Sequence, residues 1–233
     1  MTTKGNSTAA GRLYTELRRD IIGGTWLPRQ RLRISEVAAR YAGGAIPVRE
    51  ALNRLAAESL VTYSDQRGFS IAPVSAVDLR DLTAARAMIS EIALREAIRK
   101  GDAEWEESVL VALHRLNKVP RYVRETPPIS NAEYEQPHKA FHQALLSGCG
   151  SGWMLDVHGR LFDHAERYRA LSRASVIHSR DEEHKKIAEA AMHRDEDEAV
   201  RLIKLHVELT AELVLDATLP HDSMSQDRVL ERP

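Results

Sequence analysis

The chain has 233 residues, 43% of them hydrophobic and 29% charged, and a net charge of −1, which allows a sizeable core spread over one or two domains. It holds no apolar run of about 18 residues that would cross a bilayer. Its first residues, MTTKGNSTAAG, lack the apolar stretch of a secretory signal, and its one cysteine, Cys149, excludes an internal disulfide, so a reducing cytoplasm is the expected location.

The charge is uneven. Residues 1–75 hold 11 Lys and Arg against 6 Asp and Glu, leaving 22 against 28 for the remainder. A basic amino-terminal part on a mildly acidic body implies a polyanion-binding module joined to something else. Residues 1–11 read as a disordered leader. Leu13, Leu17 and Ile21, four apart, predict a helix from Arg12 to Ile22 that stops at Gly23-Gly24. A short helix is expected from Ile34 to Tyr41, with Val37 and Ala38 inward. The turn AGG (42–44) follows, and Pro47 suits the first turn of a third helix running to about Ser59. Its inner face is Val48, Ala51, Leu52 and Leu55, and its outer face is Arg49, Glu50, Asn53 and Arg54. LVTYS and GFSIAP, joined by DQRG, predict a β-hairpin.

Three helices and a hairpin form a winged helix-turn-helix over residues 12–75. Such a motif inserts the second helix of its helix-turn-helix, here the third helix, into the major groove of double-stranded DNA, amino end first. Arg49 and Asn53 are then placed to read bases, and Arg33, Arg54 and Arg67 to meet phosphates or the groove. Any one of these arginines could equally be a solvated surface charge. Their concentration on one face of one motif is what points to DNA.

PVREALNRLAAESLV…QRGFSIAPVS resembles the GntR family of bacterial transcription regulators, whose recognition helix reads PVREAL and whose wing ends RGF. The resemblance covers residues 12–75, and Arg33 and Arg49 match positions the family uses; with Pro47, Asn53, Arg54, Arg67 and Gly68 of the same motif they are the expected DNA-binding residues. Departures stand beside it. The arginine usual at the head of the recognition helix is Ala45, its Ser N-cap is Gly44, and the glycine after the helix is Ser59, so the usual operator of the family need not be the operator here.

Residues 76–218 carry no strand signal and predict an all-helical bundle. SAVD (75–78) has the form of a capping box before a helix to about Arg99, with Leu79, Leu82, Ala85, Ile89, Ile92 and Ala93 inward. A second helix ends at Asn117. VPRYVRETPPIS reads as a Pro-rich loop. Further helices are expected from Asn131 or Pro137 to Leu146, from Gly152 to Ser172, from Asp181 to His193, and through RDEDEA to about Ala217. Residues 219–233 read as a disordered tail.

HKAFHQALL places His138 and His142 four apart on one helix face. The pair alone is weak evidence for a metal. His184 and His206 lie on two other helices among apolar neighbours, and imidazoles from three helices can hold a divalent ion. The body also resembles the FCD ligand-binding domain of FadR-type GntR proteins, one class of which holds a metal through Asp-x-x-Phe-His and two later histidines. Phe141-His142, His184 and His206, 22 residues on, follow that spacing over about 78–215. His138 stands where the family most often has Asp, giving either four neutral imidazoles, with zinc or nickel expected ahead of manganese, or a site of three histidines that His138 does not join. The resemblance implies a small carboxylate effector. Arg86 is the first candidate to bind it, then Arg167, with Tyr168 as a polar contact, although both arginines also suit structural ion pairs. His114, His158, His164, His178, His193 and His221 fit no constellation.

The expected function is a ligand-responsive DNA-binding regulator, a repressor acting as a homodimer with no catalytic residues and no membrane attachment. Two other readings remain. Glu135-x-x-His138 and Asp181-x-x-His184 echo a di-metal enzyme bundle, but such a site needs a glutamate from each of two other helices, nothing singles out Glu91 or Glu208 for that place, and Pro137 disturbs the first pair. The body could also serve only to dimerise a DNA-binding module.

Overall fold

The structure is a computed structural model that describes residues 8–125, 128–172 and 181–218. Its contacts divide the chain into two units, Met1–Val74 with Glu166–Ala170, and Ser75–Ala165 with Leu171–Pro233.

The first unit opens with α1 (Ala9–Ile22), capped by Thr8, whose hydroxyl accepts from the Gly11 amide at 3.1 Å. This cap starts the helix inside the stretch expected to be a disordered leader. Strand β1 (Arg31–Leu32), α2 (Ile34–Arg40) and α3 (Ala45–Ala57) follow, then β2 (Val61–Ser64) and β3 (Gly68–Ile71). β3 lies between β1 and β2 in an antiparallel sheet. The sheet gains β1 because Leu32 is buried while Arg31 points out, a two-residue alternation matching the pleat. Leu13, Leu17 and Ile21 of α1 are buried in one cluster with Val48, Leu52 and Leu55 of α3 and Phe69 and Ile71 of β3. Each such large side chain contributes about 1.5–3 kcal/mol through burial. Gly68 adopts φ +72° at the wing turn, a conformation that glycine enters without steric cost.

The second unit begins with α4 (Ala76–Lys100). Ser75 accepts from the Asp78 amide at 3.1 Å, as the capping box predicts. Then come α5 (Ala103–Asn117), β4 (Tyr122–Glu125), β5 (Pro128–Ser130), a 3₁₀ turn at Ala132–Tyr134, α6 (Glu135–Ser147), α7 (Gly152–Leu171), α8 (Asp181–Met192) and α9 (Glu196–Thr218). α4 packs along α9, α5 along α6, and α8 on α9. Arg95–Asp197 and Arg99–Glu196 (2.8 Å each) and Lys204–Glu91 (3.0 Å) fix the α4–α9 register. The core joins Leu94, Ile98, Trp105, Phe141, Leu145, Ile187 and Ile203. Gly101 is required by space, since a Cβ there would lie 2.3 Å from the Trp105 ring.

Two expectations for this unit change. The Pro-rich loop is an antiparallel hairpin, β4 with β5. Pro128 is tolerated because it begins its strand, and Asn131 closes the base through its amide to Arg121 O and its side chain to Pro120 O, both 2.9 Å. Ile92, expected inward, is 52% exposed. The buried stripe of α4 instead runs through Arg86, Ala87, Ser90, Ala93, Leu94 and Ala97, whose small members admit α9 closely. Residues 219–233, His178 and His221 lie outside the described residues.

Candidate metal centre and nucleic-acid interface

α6 brings His138 and His142 to one side, a turn apart, with Nε2 atoms 3.2 Å from each other. α8 supplies His184 and α9 supplies His206, with ring centroids 4.7 Å apart. One nitrogen from each of the four rings lies within 4.8 Å of the others, and all four residues are buried. Two nitrogens each about 2.0–2.1 Å from one tetrahedral zinc would lie about 3.3 Å apart, so the His138–His142 spacing suits two ligands of one ion. Glu183 Oε2 lies 2.8 Å from His206 Nδ1. A carboxylate there fixes the tautomer and leaves Nε2 facing the cluster. Burial, and then the charges of His206 and Arg86, hold the His142 pKa well below its ordinary value. The ring is therefore neutral near pH 7, the form that binds a metal. The donor set fits a divalent ion.

The cluster has a charged flank. Phe162 of α7 sits 5.5 Å from the His138 ring and 5.4 Å from His142. The Arg86 guanidinium lies 4.7 Å over the same Phe162 ring. His158, also buried, is one turn before Phe162, and burial followed by the charges of Arg86 and Lys139 depresses its pKa to about 3. Lys139 pairs with buried Asp163 at 2.6 Å. The structure thus brings Arg86 beside the four histidines. Arg167 and Tyr168 are buried in the other unit, where Arg167 donates to the Ala72 carbonyl. His158 and Glu183 are members the sequence did not single out. Adjacency to His184 was the one available signal for Glu183, and His158 carried none.

In the first unit, a groove of about 520 Å³ between α3 and the wing is lined by Arg31, Arg33, Arg49, Gln66, Arg67 and Gly68 among others. Arg31 was missed, although the alternation in RQRLR marks it as the outward residue of a strand. Its Nε donates to Arg67 O at 2.9 Å, tying β1 to the wing. Asn53 is exposed one turn beyond Arg49, and Pro47 sits half-buried in the first turn of α3. Arg54 is not among the groove residues. Its guanidinium lies 3.8 Å over the Tyr14 ring of α1, while Tyr14 and Arg18 both bond Glu58. Gly44 caps α3 without a side-chain hydrogen bond.

A winged helix with an arginine-lined groove, followed by a helical bundle with a buried histidine cluster, defines a DNA-binding transcriptional regulator with an effector-binding domain. Residues 9–71 match the bacterial regulatory proteins of the gntR family, and residues 81–209 match the FCD domain. The chain is 36% identical over 200 residues to the HTH-type transcriptional repressor GlaR of Escherichia coli K12, covering 83% of this chain and 90% of that one. It is 35% identical over 206 residues to the HTH-type transcriptional regulator BphR of Paraburkholderia xenovorans LB400, covering 86% and 83%. The fold matches E. coli McbR/YncC with a TM-score of 0.73 at 14% identity, over 90% of this chain and 98% of that one. It also matches a GntR regulator from Rhodococcus sp. RHA1 with a TM-score of 0.71 at 23% identity, over 89% and 98%. The chain belongs to the GntR family and has the FadR-like arrangement of a winged helix with an FCD domain. Its relatives are transcriptional regulators, not enzymes. Among the described residues no helix is long and apolar enough to cross a membrane.

Proposed function

We propose that this protein is a cytoplasmic repressor that binds a double-stranded DNA operator as a homodimer and releases it when a small organic acid binds at a metal held by His138, His142, His184 and His206. The observation that carries this reading is the convergence of four buried imidazoles from three helices within 4.8 Å. Zinc or nickel suits four nitrogen donors better than manganese does. A bound ion would supply a Lewis-acidic point for a carboxylate oxygen. The residues of the chain do the rest. Glu183 orients His206, Phe162 walls the cluster, and Arg86 offers a fixed positive charge to the anion. The effector changes DNA affinity only by as much as it binds one conformation better than another. Repression is favoured by the likeness to GlaR, itself named a repressor. A dimer is favoured by Met88 and Ile92, one turn apart on α4 and 64% and 52% exposed, an apolar face that a second copy would cover. Arg33 and Arg67 are assigned to phosphates, and Arg49 and Asn53 to bases.

The test is elemental mass spectrometry of protein purified without chelator or nickel resin, followed by DNA binding with and without a panel of small carboxylic acids. About one ion per chain is expected, with metal and acid response both lost in His142→Ala or His184→Ala while the variant stays a folded dimer. A variant that responds fully to the acid overturns the metal-anchored mechanism. Metal-free protein that takes none up leaves a DNA-binding dimer alone.

A further inference from the structure

We infer that Ile46 is a specificity residue that reads the C5-methyl group of a thymine in each operator half-site. The first turn of α3 is Ala45, Ile46, Pro47 and Val48. Val48 is fully buried and Pro47 half-buried, so the side chains facing outward are the methyl of Ala45 and the branched chain of Ile46, which is 82% exposed. A single exposed apolar residue is ordinary on a protein surface. Ile46 is distinguished by its position. It stands at the amino end of the helix whose outward face continues with Arg49 and Asn53, and Arg49 lines a groove together with Arg31, Arg33 and Arg67. Four guanidiniums around that groove complement a phosphate backbone and draw the helix against DNA.

A recognition helix enters the major groove amino end first, which puts Ile46 at base edges. Nothing in this turn can donate or accept through a side chain. The one apolar feature a base pair shows in the major groove is the thymine methyl. Against any other base edge, Ile46 would cover donors and acceptors without replacing their hydrogen bonds to water, which is unfavourable. The turn therefore selects thymine by contact and disfavours G·C pairs by desolvation. Arg49, one helical step beyond, selects a neighbouring guanine through its O6 and N7.

The inference rests on α3 being the base-reading helix, and the experiment separates the two. Full-length protein selects its site from a random-sequence duplex pool, and each thymine of the selected site is then replaced singly by uracil, which removes only the methyl. Wild-type binding is expected to weaken about fourfold at one thymine per half-site, the change that burial of one methyl group corresponds to. Ile46→Ala should bind the thymine and uracil duplexes equally. No methyl-sensitive thymine, or a penalty that persists in Ile46→Ala, overturns the role of Ile46. Arg49→Ala selecting an unchanged site would instead overturn the placement of α3.

Discussion

Glu183 and His206 are joined across the α8–α9 pair, Oε2 to Nδ1 at 2.8 Å. The bond spends the outer nitrogen of His206 on orientation and keeps the inner one for the cluster. Glu183→Ala removes that restraint without touching a ligand, so metal affinity is expected to fall about 10–100-fold. Competition with a chromogenic chelator would measure it. Unchanged affinity would mean that packing alone orients His206.

Arg67 and Arg49 line the same groove, and the proposed function assigns them different contacts. Arg67→Ala should weaken binding to every DNA sequence alike and reduce the slope of log K against log salt by about 1. Arg49→Ala should cost about 1–3 kcal/mol on the preferred site and little on random DNA. Fluorescence anisotropy over a salt series distinguishes the two patterns.

Ile92→Glu places a charge on the apolar α4 face opposite the core. With no internal partner lost, the fold should survive while the dimer dissociates, raising the concentration needed for operator binding. Sedimentation velocity reads the outcome, and a variant that stays dimeric moves the interface elsewhere.

Ser59, just past the Glu58 cap of α3, has φ +60°, while the Leu60 amide bonds Leu55 O at 3.1 Å behind it. That left-handed position favours glycine. Ser59→Gly should stabilise the amino-terminal unit by about 0.5–1 kcal/mol, seen as a higher denaturant midpoint, whereas Ser59→Val should lower it.

His158 is expected to give the bundle an acid sensitivity. Burial, with Arg86 and Lys139 nearby, depresses its pKa to about 3, whereas in the unfolded chain it titrates near about 6.5. Between those values the unfolded state binds more protons, so the stability contribution is complete above about pH 6.5 and is lost as pH falls toward 3. His158→Gln should flatten the decline in denaturation midpoint between pH 7 and 4. An equal decline would place the acid sensitivity in other groups.

Local pattern determined much of this protein. The four-residue spacing of Leu13, Leu17 and Ile21, the Ser75 cap and the wing glycine Gly68 act within one turn or one hairpin, so their consequences follow from the adjacent chain. The histidines were legible because helix periodicity places His138 beside His142, and because family spacing marks His184 and His206. The tertiary structure decided which faces meet. It turned Ile92 outward by passing the inner stripe of α4 through Ser90 and Ala93, and it drew Arg54 onto Tyr14 and away from the groove. It also closed the Pro-rich loop into a hairpin and set His158, Glu183 and Phe162 around the histidines. Apart from the hairpin, whose paired residues lie within eight positions of each other, those relationships join residues about 20 or more positions apart or depend on helix–helix register, which side chains distant in sequence fix by packing.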